Sequence, residues 1–221
     1  MSSNSIIFAG YREWALKILD FLEIKYDDVV WHHAKTPGHL NDLLQIKDVG
    51  MVILAGWSWI LKKDDLSKSL FLGLHPSDLP NYSGGSPIQN QILDGLSSTK
   101  MTLFKLSEKI DEGDILYKED LDLSGGMSNI FESLTLSSIK IMKKLMGDYP
   151  ELKFYKQSDN GNSRKRLKPS DSNLTSEKIN SMTTIELYDF IRCREDPYPN
   201  IFIEDKHGKL FFKKVEFLAN E

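Results

Sequence analysis

The sequence predicts an α/β protein: a Rossmann-like, mostly parallel sheet flanked by helices, with a small α+β extension at its C-terminal end. Three observations predict it. Short apolar runs alternate with stretches of helical periodicity through the first half of the chain, as in successive βαβ units. One of those runs, VGMVILAGW (49–57), is apolar without alternation, which suits a strand covered on both faces. The balance of 40% hydrophobic and 27% charged residues is that of a soluble globular chain, and 221 residues suffice for one good core with an appended unit.

Taken in order, SIIFAG (5–10) reads as a strand and WALKILDFL (14–22) as an amphipathic helix. DVVWHH (28–33) is a second strand, HLNDLLQI (39–46) a second helix, and residues 49–57 a third strand. A weaker helical stretch around Lys63–Ser69 leads into LFLGLH (70–75), a fourth strand that ends on His75. Ser86–Gly95 forms a helix with Ser86 as its N-cap, Pro87 at the first helical position and Gly95 as the stop. KMTLFKLS (100–107) and DILYKEDLDL (114–123) are strands joined by EKIDEG, so an antiparallel pair closes one end of the sheet with Asp111 in its turn. Ser128–Met146 is the longest helix. The polar segment Ser158–Ser163 then separates a domain of residues 1–157 from an extension of 158–221. That extension carries a helix at Thr184–Arg192 and a hairpin of NIFIED and KLFFKKVEF around Lys206-His207-Gly208.

LGLHPSDLPNYSGGSPIQNQILDG (72–95) stands out. Pro76, Pro80, Gly84, Gly85 and Pro87 fix or free the backbone in quick succession, so a shaped loop follows the strand. It leaves the carboxyl edge of the sheet, where open α/β folds place their sites, and His75 stands at its start. From the residues alone, His75 also reads as a structural histidine, and Asp111 as a turn residue bonded to its own backbone.

Together with KIDEGDILYK (109–118), this stretch resembles the 10-formyltetrahydrofolate-dependent formyltransferase family. That family's signature runs Asn-x-His-(Pro/Gly)-Ser-x-x-Pro, then an aromatic, a Gly, a Pro and a short helix, with an Asp-x-Gly-x-(Ile/Met)-Leu turn further on. The similarity extends over the strand and helix order of residues 1–155. RKRLKPSDSNL (164–174) and YDFIRCREDPYPNIFIE (188–204) resemble the extension of members acting on nucleotide-linked amino sugars, among them the pseudaminic acid type.

The resemblance implies a cytoplasmic formyltransferase of polysaccharide biosynthesis. It would use 10-formyltetrahydrofolate as co-substrate and the primary amine of a nucleotide-linked amino deoxysugar as acceptor. His75 becomes the base and Asp111 its partner. Trp57, Trp59, Ile60, Leu61 and Asp114 become the folate contacts, and Ser77, Tyr82, Gly84, Gly85 and Gln89 the acceptor contacts. Bulky aromatics at alternate positions are equally at home in a core, and the glycines in simple turns. One departure is plain: Gly73 stands where the family has the asparagine assigned to the reacting oxygen. That oxygen is therefore expected to rest on protonated His75, a backbone N–H near Ser77, or water. The alternatives are a methionyl-tRNA or other small-amine formyltransferase, and an inactive folate- or sugar-binding homologue.

Charge narrows the partners. With 28 basic and 32 acidic residues the net charge is −4, which gives no general attraction to nucleic acid. The one basic cluster, Arg164, Lys165, Arg166 and Lys168, reads as a solvated edge, with a phosphate contact as the sharper alternative. No apolar run approaches the roughly 20 residues of a membrane helix, and MSSNSIIFAGYREW lacks the pattern of a secretory leader. A single cysteine, Cys193, reads as structural, and no metal site is expected. A homodimer is compatible with the sequence.

Overall fold

The computed structural model describes residues 5–158 and 160–220, so Asp159 of the polar boundary segment and the first four residues of the chain's opening lie outside it. The elements are β1 (Ser5–Ala9), α1 (Glu13–Lys25), β2 (Val30–Ala34), α2 (Pro37–Leu43), β3 (Val49–Ala55), α3 (Lys63–Leu66) and β4 (Leu70–His75). There follow β5 (Ser83–Gly84), α4 (Pro87–Leu93), β6 (Ser98–Lys105), β7 (Ile115–Asp122) and α5 (Met127–Asp148). The remainder comprises β8 (Ser163–Arg164), α6 (Ser176–Ser181), α7 (Thr184–Arg192), β9 (Ile201–Asp205) and β10 (Gly208–Phe212).

The main sheet runs β2-β1-β3-β4-β6-β7. Its β1, β2, β3 and β4 are parallel, while β6 and β7 add antiparallel at one edge, as the sequence led us to expect. Burial explains the uninterrupted apolar strands. Ile6 and Phe8 of β1 and Met51, Ile53 and Ala55 of β3 pack on one face with α1 and α5. Ile7, Ala9, Val52 and Leu54 pack on the other with Leu40 of α2. A strand with both faces covered leaves no position for a polar side chain. The chain order reverses between β1 and β3, the switch point at which open α/β sheets form a crevice on the carboxyl edge.

Beyond α5 the chain returns twice to the main body. Cys193 is buried in the larger core with β1 and α5, and burial pushes its thiol up to about 11, which leaves it an inert packing group. Buried Arg192 donates to the carbonyls of Leu123 (2.6 Å) and Gly125 (2.8 Å) and pairs with Asp189 (2.6 Å). Glu195 accepts the first N–H of α5, from Met127 at 2.9 Å, where a carboxylate complements the helix end. The hairpin β9–β10 forms as the sequence suggests, with Ile201 in a small core shared with Leu174, Phe190 and Ile191.

Two local readings change. Ser86 precedes α4, but its φ is +50° and its hydroxyl caps nothing in that helix; it accepts instead from the Leu167 amide at 3.1 Å. The basic segment read as a solvated edge begins in β8, whose Arg164 pairs in parallel with β5 in the loop after His75. Neither α6 nor this two-residue pair has a periodicity that sequence alone can reveal.

Candidate active site

His75 ends β4, and its ring is held on three sides. Phe104 of β6 meets it edge-on, with centroids 6.5 Å apart at 88°. Its Nε2 lies 2.9 Å from the carbonyl of Tyr82; a carbonyl only accepts, so Nε2 carries the hydrogen. Nδ1 is then the proton-accepting nitrogen of the neutral ring, and it faces Oδ2 of Asp111 at 3.5 Å. That separation exceeds the usual hydrogen-bond range of about 2.7–3.2 Å, so the carboxylate accompanies Nδ1 without closing it off. The two side chains are only 9% and 16% exposed, which makes the pair a sheltered one.

Asp111 is fixed by its surroundings. The same Oδ2 accepts the N–H of Gly84 at 2.8 Å, and Gln157 donates to the carbonyls of Asp111 and Gly113, each at 2.7 Å. Asp111, Tyr82 and Ser86 all have positive φ (57°, 55° and 50°), a conformation that non-glycine residues enter only when neighbours impose it. Here the imposing neighbours are the strap 161–167 and the β6–β7 turn.

The loop of residues 76–86 is pinned to the sheet edge. The Ser77 amide donates to the His75 carbonyl (2.9 Å), its hydroxyl donates to Asn81 O (2.7 Å), and its carbonyl accepts from Thr102 Oγ1 (2.6 Å). Gln91 Nε2 reaches Pro76 O at 2.8 Å. The strap adds the Gly85 amide to Arg164 O (2.8 Å), the Tyr82 amide to Asn162 Oδ1 (2.6 Å) and Asn90 Nδ2 to Lys165 O (3.3 Å). Glycine is required at Gly85, because a Cβ there would fall on the backbone of Arg166.

His75 and Asp111 open on a cavity of about 710 Å³, within the range of small-molecule sites. Trp57, Trp59, Ile60 and Leu61 line it, as do Gly84, Gly85 and Gln89. Trp57 and Trp59 meet edge-to-face at 4.9 Å, and Tyr11 joins Trp59 at the same distance, giving the cavity an aromatic wall. Two N–H donors on the cavity lining, Trp57 Nε1 and Gln89 Nε2, are buried with no hydrogen-bond partner among the described residues. A buried donor left unpaired is costly, so an acceptor atom from a ligand is the natural complement to each.

Three expected contacts lie elsewhere. Ser77 is fully buried with hydroxyl, amide and carbonyl all committed, so it shapes the loop, and its N–H is not free for a reacting oxygen. Tyr82 lends its carbonyl to His75 while its hydroxyl, held above its ordinary pKa by burial and then by Asp94, donates to Asp94 at 2.8 Å; its ring lies under Arg164. Asp114 uses its carbonyl to accept from Lys105 at 2.8 Å and is not on the cavity lining. In turn, the sequence reading missed Arg12, Phe104 and Tyr198, which line the cavity from the β1–α1 turn, from β6 and from beyond α7. No local motif marks them, because only the folded sheet edge gathers them.

Gly73 also lines the cavity. A Cβ there would stand 2.9 Å from Leu106 Cδ2 and 3.1 Å from the Phe104 ring, so a longer side chain enters only if both of these side chains give way.

Residues 27–129 match the formyl transferase family. The chain is 27% identical over 124 residues to a methionyl-tRNA formyltransferase of Rickettsia prowazekii; this covers 54% of the chain but 41% of that protein, so the chain spans less than half of that relative's length. Among solved structures, a methionyl-tRNA formyltransferase from Clostridium thermocellum superposes with a TM-score of 0.88 at 26% identity, covering 97% of this chain and 93% of that one. A 4-N formyltransferase from Francisella tularensis shares the fold with a TM-score of 0.78 at 18% identity, covering 97% and 98%.

Proposed function

Because residues 27–129 carry the formyl transferase pattern and the chain takes the fold of solved formyltransferases, we propose that it is an N-formyltransferase. On this reading it moves the formyl group of 10-formyltetrahydrofolate to the primary amine of a nucleotide-linked amino deoxysugar. The observation that carries the reading is the His75–Asp111 pair, sheltered at the carboxyl edge of the sheet and facing a cavity with two unmatched donors.

When bound, 10-formyltetrahydrofolate supplies an activated one-carbon acyl group. The cavity suits such a ligand: the aromatic wall of Trp57 and Trp59 offers a face for a flat ring, and Trp57 Nε1 offers a donor for its polar edge. The acceptor nitrogen attacks with its lone pair, so it must be an uncharged amine. His75 Nδ1 takes the proton that this nitrogen sheds as its bond to the formyl carbon forms, while Nε2–H remains on the Tyr82 carbonyl. The ring, now carrying hydrogen on both nitrogens, is faced by the Asp111 carboxylate. Nδ1 then returns the proton to the nitrogen that leaves the formyl carbon.

A methionyl-tRNA acceptor is the second reading, favoured by the Clostridium thermocellum likeness. The net charge of −4 weighs against a polyanionic partner. The deciding experiment incubates the protein with 10-formyltetrahydrofolate and either a panel of nucleotide-linked amino sugars or methionyl-tRNA, with mass spectrometry for a formyl adduct. An adduct on a sugar nucleotide supports the first reading, and one on methionyl-tRNA alone replaces it.

Two further results are expected. Titration with a non-transferring folate analogue quenches tryptophan emission, and Trp57→Phe with Trp59→Phe removes most of the change. Trp14 also borders the cavity and leaves a residue of signal, whereas Trp31 is not on its lining. Unchanged emission alongside calorimetric binding would refute the folate placement. Gly73→Asn does not raise kcat, because its side chain must displace Phe104 and Leu106 before it can reach the cavity, and Phe104 supports the His75 ring. A tenfold gain, part of the roughly 10²–10³ that one oxyanion donor contributes, would show instead that wild type is an impaired enzyme.

A further inference from the structure

We propose that Arg12, Arg166 and the side-chain amide of Gln89 form an anion subsite on the rim of the cavity, and that it takes the diphosphate of the acceptor. The proposal rests on the sugar-nucleotide reading above, but its central observation is independent of it: the cavity carries cations that the protein itself leaves unneutralised. Its lining includes Arg12, Lys109 and Arg166 against Glu108 and Asp111. Glu108 is paired with Lys63, Lys109 with Glu112, and Asp111 with His75 and the Gly84 amide. Arg12 and Arg166 have no carboxylate partner among the described residues; Arg12 rests only on the face of Tyr11 at 5.0 Å.

The strap shows a division of labour among its cations. Arg164 is spent on the fold, paired with Asp94 and stacked at 5.2 Å on Tyr82. The carbonyls of Arg164 and Lys165 bond the loop, at Gly85 and Asn90. Those bonds, with the one from the Leu167 amide to Ser86 Oγ at 3.1 Å, fix the backbone on either side of Arg166, against Gly85, while Arg166 itself, with no ion pair among the described residues, lines the cavity. A planar guanidinium held this way offers the fork that phosphate oxygens accept in pairs.

Arg12, from the β1–α1 turn, and Gln89, from the first turn of α4, line the same cavity. Gln89 is 5% exposed, and its Nε2 has no acceptor within hydrogen-bond range among the described residues. Two unpaired guanidinium groups and an orphan amide ask for a ligand with several negative oxygens. A diphosphate has them; so do the glutamate carboxylates of a folate. Arg166 adjoins Gly85, one of the expected acceptor contacts, which favours the acceptor's diphosphate.

The test measures binding of inorganic pyrophosphate, uridine diphosphate and a folate analogue to the full chain by calorimetry, with melting temperature as a control for folding. Arg166→Ala and Arg12→Ala are each expected to weaken pyrophosphate and uridine diphosphate binding by about 10- to 100-fold, as loss of a charge-assisted contact does, while Arg166→Lys retains part of it and folate binding is unchanged. Unchanged pyrophosphate binding in a folded Arg166→Ala protein overturns the subsite. A loss confined to the folate analogue overturns it too, by assigning the cations to the glutamate tail. Because these measurements need no turnover, a protein that loses uridine diphosphate affinity in Arg166→Ala yet formylates no sugar nucleotide would keep the subsite and refute the acceptor reading.

Discussion

His75→Ala is expected to lower formyl transfer by about 100-fold or more with the fold intact, because the loss falls on the one nitrogen placed to take the amine's proton. The ring ends β4 and touches Phe104, so its removal costs edge packing and one hydrogen bond to Tyr82, and the core beneath is untouched. Asp111→Ala should lose as much by a mixed route, since its Oδ2 serves both Nδ1 of His75 and the Gly84 amide. Asp111→Asn separates the two contributions: an amide oxygen still accepts from Gly84, so the loop stays in place while the charge beside His75 disappears. Single-turnover rates for the three variants, with melting curves, make the measurement. Near-normal turnover in His75→Ala would remove the proposed base.

The largest stability effect is expected from Gly113→Ala. Gly113 lies in the turn between β6 and β7, and a Cβ there would fall deep inside the van der Waals radius of the Lys105 carbonyl oxygen, a backbone atom with no rotamer by which to yield. The turn must open, breaking the bond from the Lys105 amide to Asp114 O at 2.8 Å and the double acceptance from Gln157. Overpacking in a firm environment costs about 1–3 kcal/mol or somewhat more, and here the conflict is between two backbones, so about 3 kcal/mol is expected. In a chain of this length that lowers the melting temperature by about 6–12 °C. Since Asp111 sits two residues away at φ +57°, turnover should fall with stability. A melting temperature within a degree of wild type would contradict this account of the turn.

The sheet was legible in the sequence because its signals are local. Apolar runs such as VGMVILA and the helical spacing of α1 and α5 are set by what each segment buries. Local signals located His75, Asp111 and the Trp57–Leu61 segment at strand ends and turns, while their grouping as one site was implied only by the family resemblance. What stayed hidden depends on distant pairing. Ser77 and Tyr82 belong to a recognisable motif, yet whether a motif residue faces a ligand or its own loop is decided by Thr102, outside that stretch, and by Asp94 at its far end. Arg166 was visible as one of four cations, but only the pairing of β5 with β8 distinguishes it from Arg164.

That pairing also has a bearing on the order in which the molecule assembles. The bond from Tyr82 to Asn162 spans 80 positions along the chain, while β6 and β7 join through a short turn. Closing a long loop costs entropy before any contact repays it, and a parallel pair of two residues repays little. The sheet and the α5 layer can therefore form without the strap, whereas Asp111, Tyr82 and Gly85 reach their final positions only when it is laid across them. During refolding, recovery of helical and sheet signal should run ahead of recovery of turnover, and the interval between the two measures how long the chain remains folded but chemically idle.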